Sequence, residues 1–245
     1  MTETSAEAPE GVHHYAVAEE VPFHISKYWH QRHKIWSKFD EGVWMTDDAW
    51  FGVTPEPVAN KVAEHVATAP ESRTQLIDAF AGAGGNTIAF ALSGRWERIF
   101  AVEKDPKVLA CAKHNAEVYG VANKIWWIEG DVFEMMKSRL KFQGKDTVVF
   151  GSPPWGGPTY TDFEVFDLGM MEPYPLEKMF TTFTAKNRSA VLYLPRTSDL
   201  RQLAKRAKGD EKLKVTHYCM NGASKALCVY FGDFTFVGGP QRERG

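Results

Sequence analysis

Over residues 75–194 the chain alternates short apolar runs with stretches of helical spacing. The runs at 75–80, 98–103, 124–129, 147–151 and 190–194 are short and rich in β-branched and aromatic residues, which predicts strands. The stretches at 86–92, 106–119 and 133–140 carry the helical period. Strands separated by helices in this way predict a parallel sheet with right-handed crossovers, because a tight turn cannot return a chain to a parallel neighbour. Two last apolar runs, 214–220 and 226–231, flank the polar stretch Asn221-Gly222-Ala223-Ser224-Lys225, which predicts an antiparallel hairpin. The expected fold class is α/β: a mostly parallel seven-stranded sheet that ends in one antiparallel hairpin.

Upstream, Tyr28, Trp29, Ile35, Trp36 and Phe39 recur at helical spacing over 26–39, with Ser26 as N-cap, and predict one amphipathic helix. A loop holding Trp44, Trp50 and Phe51 follows. Thr54-Pro55 then supplies a cap with proline at the first helical position, opening a helix to about residue 67. Residues 1–22 and 238–245 lack an apolar period and are expected to be frayed. The expected organisation is a small helical extension at 23–70 and a core at 71–237. No internal repeat is present.

A chain of 245 residues with 44% apolar and 24% charged residues suits one core and excludes wholesale disorder. No stretch approaches the roughly 20 apolar residues of a membrane span, and the acidic start is unlike a signal peptide, so an intracellular location away from membranes is expected. Cys111, Cys219 and Cys228 form no CxxC pair; buried thiols and no metal are expected. The net charge of −2 means that any nucleic-acid contact has to be local. Positive charge gathers in two places: at Lys27, Arg32, Lys34 and Lys38, and over 196–214.

Asp78-Ala79-Phe80-Ala81-Gly82-Ala83-Gly84-Gly85-Asn86 lies where the first strand gives way to a helix, the edge at which open α/β sheets bind ligands. Thr87 stands where a dinucleotide fingerprint requires its third glycine, which disfavours a pyrophosphate. Asp78 could hold an ammonium group, and Glu103, at the end of the second strand, could accept from both hydroxyls of a ribose. Asp131, after the third strand, could accept from an adenine amine or simply cap the next helix. Together these residues suit an adenosyl ligand.

The most specific signal is Gly151-Ser152-Pro153-Pro154-Trp155-Gly156-Gly157-Pro158, after the fourth strand. Two prolines fix the backbone and remove two donors, leaving carbonyl oxygens able to accept from an amine. An exocyclic amine on a nucleobase is flat and poorly nucleophilic. Acceptors at Ser152 and Pro153 would orient it beside a sulfonium methyl without a strong base. Trp155 offers a π-face, and for a cationic 7-methylguanine stacking gains roughly 0.5 to 2 kcal/mol. Tyr160 is placed to reach a ligand as donor or stacker.

These residues resemble the trimethylguanosine synthase family, RNA cap guanosine-N2 hypermethylases. The resemblance runs from Lys27 to Phe234, through Lys27-Tyr28-Trp29, Val53-Thr54-Pro55-Glu56, Asp78-Ala79-Phe80, Gly84-Gly85-Asn86-Thr87, Asn115 to Gly120, Ser152 to Pro158, Leu194-Pro195-Arg196 and Tyr230-Phe231-Gly232-Asp233. It implies a Rossmann-like S-adenosylmethionine-dependent methyltransferase whose N-terminal extension closes over cofactor and cap. Asp78, Phe80, Gly82, Gly84, Asn86, Glu103, Asp131 and Ser152 would line the S-adenosyl-L-methionine site, with Trp36 and Thr54 reaching it from the extension. Trp155 would stack on the methylated guanine, and Ser152 and Pro153 would orient its N2. Lys27, Tyr160, Arg196 and Lys225 would meet the cap phosphates. The product implied is a 2,2,7-trimethylguanosine cap on small nuclear or nucleolar RNAs. The protein would act as a monomer able to associate with proteins of small ribonucleoprotein particles, in the nucleus and nucleolus and also the cytoplasm. Ala81, Ala83, Glu103 and Trp36 depart from the residues usual in that family. Two alternatives stay open: a methyltransferase acting on N2 of guanine, N6 of adenine in other RNA or a glutamine amide, and a non-catalytic RNA-binding scaffold of the same fold.

Overall fold

The computed structural model describes residues 7–141, 143–155, 164–207, 213–220 and 222–236. Its strands are β1 (Gln75–Asp78), β2 (Arg98–Glu103), β3 (Ile125–Glu129), β4 (Thr147–Gly151), β5 (Ser189–Leu194), β6 (Lys214–Met220) and β7 (Ala223–Phe231). They form one sheet in the order β3-β2-β1-β4-β5-β7-β6. β1 to β5 run parallel, and β7 runs antiparallel between β5 and β6. The α-helices of the described residues are α1 (Ser26–Trp29), α2 (Arg32–Ile35), α3 (Ala49–Gly52), α4 (Glu56–Val66), α5 (Gly85–Leu92), α6 (Pro106–Val118), α7 (Val132–Lys137), α8 (Leu176–Thr184) and α9 (Leu200–Ala204).

The two-residue period of a strand divides the central sheet between two cores. Leu76, Val148, Phe150, Val191, Tyr193, Cys228 and Tyr230 face the core built with α4, α5, α6 and the N-terminal segment. Their neighbours Ile77, Val149, Ala190, Leu192, Leu194, Leu227, Val229 and Phe231 face the core built with α7 and α8. Burial on both faces explains why the central strands read as unbroken apolar runs. β1 lies between β2 and β4, so the strand order reverses at its carboxyl end. That switch point opens a crevice in sheets of this kind.

Several expectations need correction. The segment 26–39 is broken: α1 and α2 are separate single turns, Trp36 is extended at φ −136°, and a 3-10 turn follows at Phe39–Glu41. Trp29, Ile35, Trp36 and Phe39 are all buried. A straight helix would carry the four on one face about 120° wide, yet Trp36 is buried from an extended backbone, so tertiary packing sets the path here. Ser26 is itself helical, and Ile25 precedes the helix. Thr54 does not cap α4, whose N-cap is Pro55; the Thr54 hydroxyl is turned to Asn86 instead. The hairpin turn is shorter than expected, because Ala223, Ser224 and Lys225 belong to β7. Cys219, next to a bulge in the edge strand β6, is exposed, whereas Cys111 and Cys228 are buried.

Part of the segment expected to fray is docked. Val12 is buried, His13 bridges Met45, and the Trp29 indole donates to the Tyr15 carbonyl at 2.8 Å. Val12, Ala8, Tyr15 and Val21 pack against the core at irregular spacing, so the sequence carries no period there. The residues at 238–245 lie outside the described residues.

Asn115 clips the extension to the core. From the buried face of α6 its Oδ1 accepts from Trp44 N at 2.8 Å, and its Nδ2 donates to Trp44 O at 2.9 Å and to Ala83 O at 3.0 Å. The Trp44 ring lies flat on His114, 3.7 Å between centroids. Asn115→Ala leaves one N–H and two carbonyls without this partner, and a loss of about 2 to 4 kcal/mol is expected. Chemical denaturation measures the loss, and limited proteolysis should cut first before residue 70. An unchanged midpoint would show that Asn115 carries no such load.

Candidate active site

The glycine turn and the Ser-Pro-Pro corner leave adjacent strands at the same level. Asp78 is in register with Phe150, and Ala79 N donates to Phe150 O at 2.8 Å. Two residues further along each strand stand Phe80 and Ser152. The corner is therefore beside the turn, at the switch point of the sheet.

Asp78 has no exposed surface. Its Oδ2 accepts from the Thr87 hydroxyl at 2.6 Å and its Oδ1 from Phe80 N at 3.4 Å. Burial pushes the carboxyl up to about 7, against those two bonds and with a small addition from Glu103. The carboxylate thus braces the turn from below, and direct contact with a ligand ammonium requires Thr87 or the turn to shift. Phe80 is half-buried against Tyr174 and Phe183.

Gly82 has φ +54°, and a Cβ built there would meet nothing within 4 Å, so the turn presents bare backbone to open space. Gly84, at φ +97°, instead packs on α6: a Cβ would stand 3.3 Å from Ala112 Cα. Asn86 donates to Thr54 Oγ1 at 3.0 Å, while its buried Oδ1 has no hydrogen-bond partner among the described residues. A Cβ at Gly85 would lie 3.3 Å from Thr54 O and 3.8 Å from Trp36 Cη2, so the extension closes over the start of α5. Trp36 is buried with its indole N–H likewise unpaired among the described residues.

Glu103 Oε2 accepts from Gly82 N at 2.9 Å, and Oε1 from Lys104 N at 2.8 Å and Asp105 N at 2.9 Å. A carboxylate has about four acceptor sites, and these three bonds leave capacity for about one ribose hydroxyl. Asp131 caps α7 through Phe133 N at 2.9 Å and accepts from the Tyr174 hydroxyl at 2.5 Å. Burial pushes its carboxyl up, but Tyr174 and the backbone amides of α7 more than reverse this and hold it low. An open Gly82, an unsatisfied Asn86 oxygen and carboxylates at two neighbouring strand ends fit an adenosyl ligand with an amino-acid tail.

At the corner Pro153 is buried and Ser152 half-buried. The Trp155 indole is half-buried, donates to Tyr193 O at 3.3 Å and stacks on the Tyr193 ring at 5.8 Å and 20°. Arg196 is exposed just past β5, and its guanidinium donates to Ser224 O at 3.5 Å. Antiparallel pairing of β5 with β7 thereby brings Lys225, half-buried in β7, to the same edge. Lys27 is exposed on α1. Tyr160, with Gly156, Gly157 and Pro158, lies outside the described residues.

Sequence reasoning missed the residues that hold the others. Glu56 accepts from Ser37 N at 2.7 Å, Ser37 Oγ at 2.8 Å and the Tyr119 hydroxyl at 2.6 Å, joining the segment after Trp36 to the ends of α4 and α6. Thr87, Tyr174 and Tyr193 do the same for Asp78, Asp131 and Trp155. The one local hint was Asn115, a polar residue among the small apolar residues Cys111, Ala112 and Ala116 of α6.

The seven-stranded order, parallel but for β7, is that of the Rossmann-like methyltransferases. The human methyltransferase 10 domain containing protein shares the fold, with a TM-score of 0.51 and 15% identity over 73% of this chain and 82% of that one. The RNA cap guanine-N2 methyltransferase family matches residues 73–234. Trimethylguanosine synthase of Schizosaccharomyces pombe is 38% identical over 86% of this chain and 87% of its own length. Trimethylguanosine synthase of Saccharomyces cerevisiae is 34% identical over 86% of this chain and 69% of its own. The chain belongs to the RNA cap guanine-N2 methyltransferase family.

The Asp78 carboxyl makes a pH prediction. With a folded value near 7, above the ordinary value near 4, the folded state keeps a proton that the unfolded chain releases. Its contribution to stability is whole below about pH 4 and is lost as pH rises toward 7. Melting curves across that window should show a downward slope in the native protein that is flatter in Asp78→Asn. Parallel curves for the two proteins would refute the assignment.

Proposed function

We propose that this chain transfers methyl groups from S-adenosylmethionine to the N2 amine of a 7-methylguanosine RNA cap, giving the 2,2,7-trimethylguanosine cap. One observation carries the reading: the Ser152-Pro153 corner emerges beside the glycine turn through the β1–β4 register. When bound, the cofactor supplies an electrophilic methyl on a sulfonium. The bare Gly82 backbone, Asn86 and Glu103 would hold its amino-acid and ribose parts, with Asp131 toward the adenine and Trp36 and Thr54 closing from above. The Ser152 and Pro153 oxygens would accept the N2 protons and turn the nitrogen toward that methyl, which lowers the barrier by orientation. Trp155, backed by Tyr193, would carry the cationic guanine on its ring. Lys27, Arg196 and Lys225 would neutralise the cap phosphates locally, as a chain of net charge −2 requires. Tyr160 joins them on the family resemblance.

Relatives bearing the name trimethylguanosine synthase favour addition of two methyl groups. Small nuclear and nucleolar RNAs as substrates, and a nuclear and nucleolar location, follow the same family reading. Mass analysis of 7-methyl-GTP after incubation with protein and cofactor should show products carrying one and two added methyls, while GTP is untouched. Equal methylation of GTP would overturn the cap reading. Trp155→Ala should lower turnover on the order of a hundredfold through loss of stacking, with cofactor affinity nearly unchanged by calorimetry. Near-native turnover in that variant would remove Trp155 from the guanine site.

A further inference from the structure

Tyr174 lies two residues ahead of α8, with its ring packed on Phe133 at 4.8 Å and on Phe80 at 5.4 Å. The Lys178 ammonium stands over two of these rings, 4.2 Å from Phe133 and 5.1 Å from Tyr174. A phenylalanine would fill that space. What a tyrosine adds is its hydroxyl, which donates to Asp131 Oδ2 at 2.5 Å, its one hydrogen-bond partner among the described residues. Burial, and then that bond, raise the hydroxyl to about 12, so it keeps its proton and donates.

Asp131 follows β3, caps α7 and remains half-buried. The amides of Phe133 and Glu134 and the Tyr174 hydroxyl take three of the roughly four acceptor sites of its carboxylate, leaving about one for a ligand. An ionised carboxylate accepts and cannot donate, whereas a protonated one does both. Burial favours the protonated form here, and the Tyr174 hydroxyl is the largest influence that opposes it, ahead of both amides and of Lys104. Tyr174 therefore fixes two things at once: the orientation of the carboxylate and its acceptor-only character.

That character sorts purines by what they carry at ring position 6. Adenine offers an amine there, which donates. Guanine and hypoxanthine offer a carbonyl oxygen, which would set one acceptor against another. The distinction matters in a protein whose methyl donor carries one purine and whose methyl acceptor is another, at the same edge of one sheet. We propose that Tyr174 is a positioning residue that makes the cofactor site specific for a 6-amino purine: its hydroxyl holds Asp131 with one acceptor site turned to the adenine amine, and 6-oxo purines, the guanine of the substrate included, are kept out of the donor's pocket. The proposal rests on the placement of Asp131 at the adenine given above, and adds to it a residue outside that set and the selection it imposes.

Calorimetry with S-adenosylhomocysteine and with S-inosylhomocysteine, which carries a 6-oxo purine, tests this on the native protein, Tyr174→Phe and Asp131→Asn. No methyl transfer is needed, so the identity of the methyl acceptor does not enter. The native protein should favour the adenosyl ligand by roughly ten- to a hundredfold, the size of effect expected when a carboxylate faces an acceptor in place of a donor. Tyr174→Phe keeps the ring in its aromatic packing. Its expected result is a Kd for the adenosyl ligand raised about tenfold and a Kd for the inosyl ligand within about twofold of native, so that the preference collapses. Asp131→Asn, whose amide donates as well as accepts, should lose the preference too. If Tyr174 served packing alone, both Kd values would rise by one factor and the preference would stand; that result overturns the proposal. So does a native protein without a preference, or a preference that survives in Asp131→Asn. A native protein that binds neither ligand would remove the cofactor reading itself, and this proposal with it.

Discussion

Because β1 and β4 pair in parallel register, Asp78 beside Phe150, the turns that leave the two strands start side by side whatever their own sequences. The Ala79 to Phe150 backbone bond extends that pairing one residue into the turn. Everything chemical in the site inherits this constraint. Asp78 with Thr87 holds the base of the turn, Glu103 holds Gly82 N, and Gly82 faces open space; Ser152 stands near the turn because β4 ends beside β1. A shift of the pairing would separate methyl donor from acceptor while leaving both motifs intact in sequence. Preorganisation of this kind is set by the sheet, and the loops inherit it.

The extension shares one apolar core with the sheet, and polar clasps fix its position on that core. Asn115 takes both backbone groups of Trp44 and a carbonyl of the glycine turn, so one side chain ties the extension to the turn. Glu56 gathers Ser37 and Tyr119, and burial together with that bond raises the Tyr119 hydroxyl to about 12, so it remains a donor at all physiological pH. Trp36 and Thr54 adjoin the Ser37–Glu56 clasp, one and two residues from it along the chain. Their positions over α5 follow from the clasps and not from any helical run of their own.

The parts legible in sequence are those whose physics is local. The strands of the sheet, the crossover helices α5, α6 and α7 and the antiparallel end show in the two-residue and helical periods, whereas α8 between β4 and β5 was missed; the glycine turn and Ser-Pro-Pro-Trp show because close ligand approach and fixed acceptors demand particular residues in a row. The same logic fails wherever a side chain acts across a long stretch of chain. Glu56 to Ser37, Tyr174 to Asp131 and Tyr193 to Trp155 have no local signature, since a single polar or aromatic residue looks alike whether it is solvated or clasped. The helix expected over 26–39 failed for a related reason. Its aromatic residues satisfy the helical period on paper, but tertiary burial of Trp29, Ile35, Trp36 and Phe39 wins over propensity.

The place of β7 inside the sheet carries a consequence for how the molecule is assembled. β5 leaves one edge open until β7 slots in, and β6, made earlier, has no partner in the sheet but β7. During synthesis the parallel half can therefore collapse while its flank remains uncapped. β7, made after both, seals β5 and β6 in one step. Chaperone demand, and vulnerability to edge-to-edge association between nascent chains, should concentrate in that interval.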